Sequence, residues 1–325
     1  MKRMTIAVAA VVAAGVGSVL LNAQAQQVDP GLKAYARTSG VSGSVNSVGS
    51  DTMNNMMTLW AETFRKFYPS VKIQVEGKGS STAPAALIAG TSQFGPMSRQ
   101  MRTTEIDQFE AKYGYKPTEL RTSYDALAVY VHKDNPIEKL TLAQVEAIFS
   151  KSRKRGYKQN ITTWGQLGLT GDWANRPISL YGRNSASGTY GFFKEVTLKN
   201  GDFKDTVKEQ PGSASVVQGV TEDRFGIGYS GVGYKTSGVK AVPLSETGTG
   251  AFSNGSYEDV TSGKYPLWRF LYIYINKPPS RGLEPLAAEF VKLMFSKEGQ
   301  EAVVKDGYMP LPAKLAQGEA AKVGK

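Results

Sequence analysis

Tyr181-Gly182-Arg183-Asn184-Ser185-Ala186-Ser187-Gly188-Thr189-Tyr190 joins the end of a strand pattern to the start of a helical one. Strand-forming residues from Pro177 to Tyr181 lead into it, and Tyr190, Phe192, Phe193 and Val196 lead out at helical spacing. Ser187, Gly188 and Thr189 therefore stand where a helix begins. Such a terminus presents unpaired backbone N–H groups and the positive end of a dipole, and both favour an anion. The hydroxyls add donors, Gly188 lets backbone approach closely, and Arg183 brings a charged planar fork. The same residues also read as an ordinary N-cap behind a turn, with Arg183 in solvent. The rest of the chain decides between the two.

Toward the N-terminus the strand, turn, helix unit recurs. Val45 to Val48 alternates like a short strand and runs into Gly49-Ser50-Asp51-Thr52-Met53. Met53, Met56, Met57, Trp60, Phe64 and Phe67 then mark one face of a helix ending before Pro69. Methionines at that spacing read as core. Val71 to Val75 alternates again, followed by Gly77-Lys78-Gly79-Ser80-Ser81-Thr82 and a short helix around Ala85 to Ile88. Gln93 to Arg99 reads as a strand end, and the next helix starts near Thr104, with Thr104 and Asp107 as its capping pair.

Ser123 to His132 is a long apolar-rich strand suited to crossing between domains, and Leu140 to Ser150 is helical. Beyond the Arg183 stretch, Val216 to Val220 reads as helix, while Phe225 to Tyr229, Val239 to Leu244 and Leu267 to Ile275 read as strands. Residues 248–263 read as loop and 283–294 as a last long helix. Gln26 to Ser44 reads as a loosely held arm and 314–325 as a frayed tail. Alternating strands and helices imply mostly parallel sheets, with ligands at the strand carboxyl ends where helix N-termini converge. Several Ser/Thr/Gly-rich turns occupy such positions.

At 325 residues the chain is long enough for two domains. Lys2 and Arg3, the apolar run Ile6 to Leu21, and Ala23-Gln24-Ala25 form a secretory signal with a cleavage site before Gln26. The chain has no cysteine, which excludes disulfides, thiolate metal sites, a cysteine nucleophile and a lipidated cysteine after the signal. A bacterial periplasm fits these features, with no lipid anchor. The formal charge of +11 becomes +9 once Lys2 and Arg3 are removed (11 − 2). A basic exported chain points to steering of a small anion rather than to nucleic acid. The cluster Lys151-Ser152-Arg153-Lys154-Arg155 reads as a solvated loop.

Other chemistries find little support. Gly226-Ile227-Gly228-Tyr229-Ser230-Gly231 matches a dinucleotide fingerprint in letters, but no helical periodicity follows it. The single histidine, His132, excludes a zinc site built on several histidines, and no nucleophile elbow accompanies it.

Gly49-Ser50-Asp51-Thr52-Met53, Gly79-Ser80-Ser81-Thr82, Phe94-Gly95-Pro96-Met97-Ser98-Arg99 and Arg183 to Thr189 occur in an order that resembles periplasmic phosphate-binding proteins, the PstS family of phosphate ABC transporters. Thr162 to Gly165 and Phe225 to Tyr229 look like further landmarks, and the resemblance runs from about Val45 to Pro312. It implies an α/β, two-lobed periplasmic binding protein of type II, with two crossover strands forming the hinge. Carried onto this numbering, the lobes divide as 45–126 and 237–313 for the first and 127–236 for the second. The implied phosphate ligands are Thr52, Met53 through its backbone N–H, and Ser80 from one lobe, and Arg183, Ser187, Gly188 and Thr189 from the other. Ser50 neighbours them. The resemblance further implies a monomeric non-enzyme without cofactor, delivering phosphate to ABC permease subunits.

Many members carry an aspartate where Ser98 falls, and it accepts the proton of hydrogen phosphate. Asp51 is the expected substitute, with an N-cap as its plain alternative. Sulfate lacks that proton, so a buried acceptor discriminates between the two anions. Another oxyanion such as sulfate or molybdate, a secreted phosphate-related enzyme, and an adhesion protein on the same fold are the competing readings.

Overall fold

Apolar and polar residues alternate in Ser44–Gly49 (β1) and Lys72–Gly77 (β2), and the two strands pair in parallel from Ser44↔Lys72 to Gly49↔Gly77. The structure, a computed structural model, describes residues 27–324; the expected signal segment lies outside them. Between these strands runs α1 (Asn54–Phe67), which buries Met56, Met57, Trp60 and Phe64 completely, as their spacing requires. The first lobe continues with α2 (Thr82–Ala89), β3 (Phe94–Met97) and α3 (Thr103–Tyr113). Helix α3 is held one residue earlier than the sequence suggests: Glu105 accepts the Arg102 N–H at 2.8 Å.

The long strand β4 (Thr118–His132) then changes partners along its length. Its first part, Thr118 to Ala126, pairs with the late strand Trp268–Ile275, whereas Leu127 to Val131 pairs with Gly226–Gly231. Every residue from Ala126 to Val131 is buried, so both ends are anchored in apolar packing. This strand is the outward crossing.

The second lobe comprises β5 (Leu140–Thr141), α4 (Leu142–Phe149), β6 (Ser179–Arg183), α5 (Gly188–Val196), β7 (Val207–Gln210) and α6 (Ser213–Glu222). It continues with β8 (Gly226–Gly231), β9 (Val239–Ala241), β10 (Leu244–Ser245) and α7 (Tyr257–Thr261). Strand β9 pairs with the far end of β4, and β10 pairs with β5. Val242, Leu244, Val260, Tyr265 and Leu267 join the same apolar cluster as Leu127 and Phe149. We therefore propose that the second lobe runs to about residue 267, past the limit of 236 read from the sequence.

The chain returns through β11 (Trp268–Ile275), followed by α8 (Pro285–Met294), α9 (Lys297–Lys305) and α10 (Ala313–Ala321). The return crossing lies beside the outward one, with the Leu127 N–H on the Leu267 carbonyl at 2.8 Å. The sheet order is β2-β1-β3-β11-β4-β8-β6-β7. Neighbours within each lobe's strand–helix units are parallel, but both crossings pair antiparallel, so the sheet is mixed rather than mostly parallel.

Both ends of the described chain are tied down, contrary to their polar composition. In the arm, the Tyr35 hydroxyl donates to Glu289 at 2.7 Å and its N–H to Glu298 at 2.7 Å. In the tail, α10 buries Ala316, and Glu319 accepts the Arg121 N–H at 3.0 Å. In the basic cluster Lys151 and Lys154 are exposed, as a solvated loop requires, but Arg155 is structural. Arg155 donates to the Thr197 carbonyl at 2.8 Å and pairs with Glu246, its side chain nearly buried at the C-terminal end of α5. Cations suit a helix C-terminus, where carbonyls lack partners.

Candidate anion-binding cleft

Three turns from the first lobe and two helix starts from the second meet beside the crossings. From the first lobe come Ser50 and Thr52 after β1, Ser80 after β2 and Ser98 after β3, all essentially inaccessible to solvent. The Ser98 hydroxyl lies 3.1 Å from the hydroxyls of both Ser50 and Ser80, and the Ser98 N–H donates to the Ser80 hydroxyl at 3.0 Å. From the second lobe comes the start of α5. A Cβ on Gly188 would lie 2.3 Å from the Ser80 hydroxyl oxygen and 2.6 Å from that of Ser98. Only glycine allows this approach. Gly79 makes a matching contact in the other direction, with φ of +107° and a Cβ position 2.6 Å from the Ala186 carbonyl oxygen.

Thr52 and Thr189 face each other across the lobes with hydroxyls 2.9 Å apart. Ser187 caps α5, accepting the N–H groups of Thr189 at 3.0 Å and Tyr190 at 3.3 Å. Its oxygen is thus occupied as an acceptor while its hydroxyl hydrogen remains a donor. Met53 contributes backbone only. Its side chain is wholly buried in the first-lobe core, and its N–H reaches the Ser50 carbonyl at 3.3 Å.

Arg183 is buried at the end of β6, which contradicts its reading as a solvated side chain. It donates to the Ser213 hydroxyl at 2.6 Å and to the Pro211 carbonyl at 3.1 Å, and lies 3.4 Å from Asp51. Its Nε is buried with no hydrogen-bond partner among the described residues. Burial pulls this guanidinium below its ordinary value, and the Asp51 carboxylate opposes that pull. A buried donor without a partner is uncommon, and an acceptor oxygen placed beside it would satisfy it.

Asp51 caps a helix, but not its own. Its Oδ2 accepts the Ser213 N–H at 2.8 Å, at the first residue of α6 in the opposite lobe. Tyr234, from the turn after β8, donates to the Asp51 carbonyl at 3.0 Å.

The structure therefore brings together Ser50, Asp51, Thr52, Ser80, Ser98, Arg183, Ser187, Gly188 and Thr189, with the Met53 backbone alongside. It adds three residues that the sequence reading passed over: Ser213, Asp125 and Arg269. Ser213 opens α6 from Gly212-Ser213, one more glycine–serine turn before a helix. Arg269 is the single charge of β11, Asp125 interrupts the apolar half of β4, and the strand register sets them opposite each other. Arg269 contacts Asp125 through Nε at 2.8 Å and Nη2 at 2.7 Å, and donates to the Ser98 carbonyl at 2.6 Å and the Thr189 hydroxyl at 2.9 Å.

Neutral donors dominate the cleft, and its two arginines each have a carboxylate partner. Such a site holds a small oxyanion by directed hydrogen bonds and offsets the cost of desolvating it with limited charge. His132 lies elsewhere, its Nδ1 accepting the Asp134 N–H at 3.2 Å. Among the described residues no group of three or more His, Asp or Glu is placed to hold a metal ion, and no helix is long and apolar enough to cross a membrane.

Two lobes, two crossing strands and a polar cleft between them define a two-lobed ligand-binding protein. The model of the PBP superfamily domain matches residues 34–298. The chain is 56% identical over 313 residues to the phosphate-binding protein PstS of Pseudomonas aeruginosa, covering 96% of each chain, and the chain belongs to that PstS family of phosphate-binding proteins. It is 26% identical to the PstS of Bacillus subtilis, covering 83% of this chain and 81% of that one. A Clostridium perfringens structure described as a phosphate ABC transporter substrate-binding protein with bound phosphate superposes with a TM-score of 0.68 at 26% identity. The match covers 82% of this chain and 99% of that one.

Proposed function

We propose that this chain binds inorganic phosphate in the cleft and hands it to the permease of an ABC transporter, acting as a monomer in the periplasm without catalysis. One observation carries the reading. Arg183 is buried at the meeting of three serine turns and two helix starts, with its Nε unpartnered. An anion with several acceptor oxygens would satisfy that donor together with the hydroxyls of Thr52, Ser80 and Thr189. The relatives named phosphate-binding proteins support the same ligand. The ligand set we propose is Ser50, Thr52, the Met53 N–H, Ser80, Ser98, Arg183, Ser187, Gly188 and Thr189, with Asp51 near the ligand's proton.

Delivery follows from closure. Hydroxyls from both lobes meet in the cleft, so only the closed form completes the site and presents both lobes together to a transporter. Titration calorimetry on chain stripped of ligand by unfolding and refolding tests the reading. Tight one-to-one phosphate binding with little response to sulfate is expected. Preference for sulfate would transfer the site to that ion, and binding of neither would end the proposal.

A further inference from the structure

Arg269 has no place in the ligand set proposed above, yet it is the most completely engaged cation in the cleft. Its contacts fall on three separate parts of the molecule. Asp125 belongs to the outward crossing strand, Ser98 to the first lobe, and Thr189 to the first turn of α5 in the second lobe. The guanidinium also lies 5.2 Å from the ring centroid of Phe192, again on α5. Asp125 has its own tie to the second lobe, since its Oδ1 faces the Val232 N–H at 3.4 Å in the turn after β8. Asp125 is fully buried and Arg269 nearly so.

We infer that Arg269 is a closure bolt, a positioning residue that locks the two lobes together and orients a ligand-facing hydroxyl as it does so. Opening the cleft carries Thr189 and Phe192 away with the second lobe. The strand pairing of Arg269 with Asp125 stays behind in the crossing. The bonds to α5 therefore exist only in the closed form, whereas the ion pair persists in both. The geometry also fixes a hydrogen. Arg269 donates to the Thr189 oxygen, so that hydroxyl must aim its own hydrogen elsewhere, toward Thr52 or toward an anion in the cleft. Closure thereby turns Thr189 into a committed donor. A planar fork makes these bonds at once, and a lysine ammonium cannot.

The orienting role rests on the phosphate reading, while the bolt itself does not. The test is Arg269→Lys, which keeps the charge beside Asp125 and so keeps the fold, but cannot span all of the partners. The absence of native cysteine allows clean spin labelling of Ala111→Cys on α3 and Gln218→Cys on α6, both exposed. Interlobe distances would be measured with and without saturating inorganic phosphate, alongside stopped-flow binding. In the Arg269→Lys background the closed population should fall in both conditions, with thermal unfolding close to that of the parent. Phosphate affinity should drop roughly 30-fold or more, mainly through faster dissociation, with the association rate within about threefold. Unchanged distances in both conditions would overturn the bolt. If the parent itself ignores phosphate, the function reading fails, and the ligand-free distances still decide the inference.

Discussion

The cleft contains two buried arginines with opposite hydrogen-bond states. Arg269 sits in a register-matched pair with Asp125 and spends its remaining donors on Ser98 and Thr189. Arg183 leaves its Nε unpaired and holds its carboxylate neighbour at 3.4 Å, where Asp51 keeps part of its surface in water. The difference separates a charge that the fold has used from a charge held in reserve. A saturated buried cation supports structure, and the unsaturated one is the contact proposed for the ligand.

The strongest test of that contrast is stability. Arg269→Ala strands Asp125 as a fully buried carboxylate, which should cost about 3–5 kcal/mol. Arg183→Ala leaves an aspartate whose side chain is 24% exposed to water and should cost less, about 1 kcal/mol, in the absence of ligand. Denaturant unfolding of ligand-free protein checks both, and equal losses would erase the distinction. Phosphate affinity should rank the pair differently. Arg183→Ala should weaken binding by about 3 kcal/mol, because a buried anion loses a charge-assisted partner. Near-parental affinity by calorimetry would remove Arg183 from the site.

A smaller effect probes the surroundings of the Arg269 corner. Asp306, at the end of α9, is pushed up to about 6, first by burial and further by the Asp125 charge, while its hydrogen bond from Asn55 works the other way. Its Oδ2 is buried with no partner among the described residues. A carboxyl raised above its unfolded value of 3.8 favours the folded state while protonated, and that contribution is lost as pH rises from about 4 through about 6. Asp306→Asn should therefore gain on the parent across that window, by about 2 kcal/mol at pH 7 relative to pH 4. Parallel pH profiles of unfolding would show that Asp306 titrates alike in the folded and unfolded chain, against the effect of its burial.

The two corners also differ in how far the sequence disclosed them. Arg183, Ser187, Gly188 and Thr189 lie within seven consecutive positions, so local strand and helix signals sufficed to assemble them. Asp125 and Arg269 are 144 positions apart and meet only because β4 and β11 pair in one register. A charge within the apolar run of each strand was the available signal, and periodicity says nothing about which strands pair. The wider second lobe we propose rests on the same kind of contact, since β9 and β10 return to β4 and β5 by long-range pairing. The arm and the tail were misread because polar composition suggests fraying, while buried Tyr35 and Glu319 bind across the fold.

Asp51 gives the mildest and most discriminating test on the Arg183 corner. Its Oδ2 already caps α6 through Ser213, a role that Asn can largely retain with its carbonyl oxygen. Asp51→Asn therefore removes a negative charge beside Arg183 and little else. If Asp51 acts only as a counter-charge, phosphate and sulfate should both bind more tightly, because each meets a less compensated cation. If it accepts the proton of hydrogen phosphate, the two anions should move apart, phosphate weakening and sulfate strengthening by about 1 kcal/mol each. Paired titrations of the variant separate these cases by sign rather than size. Common movement would return Asp51 to the cap it visibly forms, and divergence would make it the device by which a cleft with serine at position 98 tells the two anions apart.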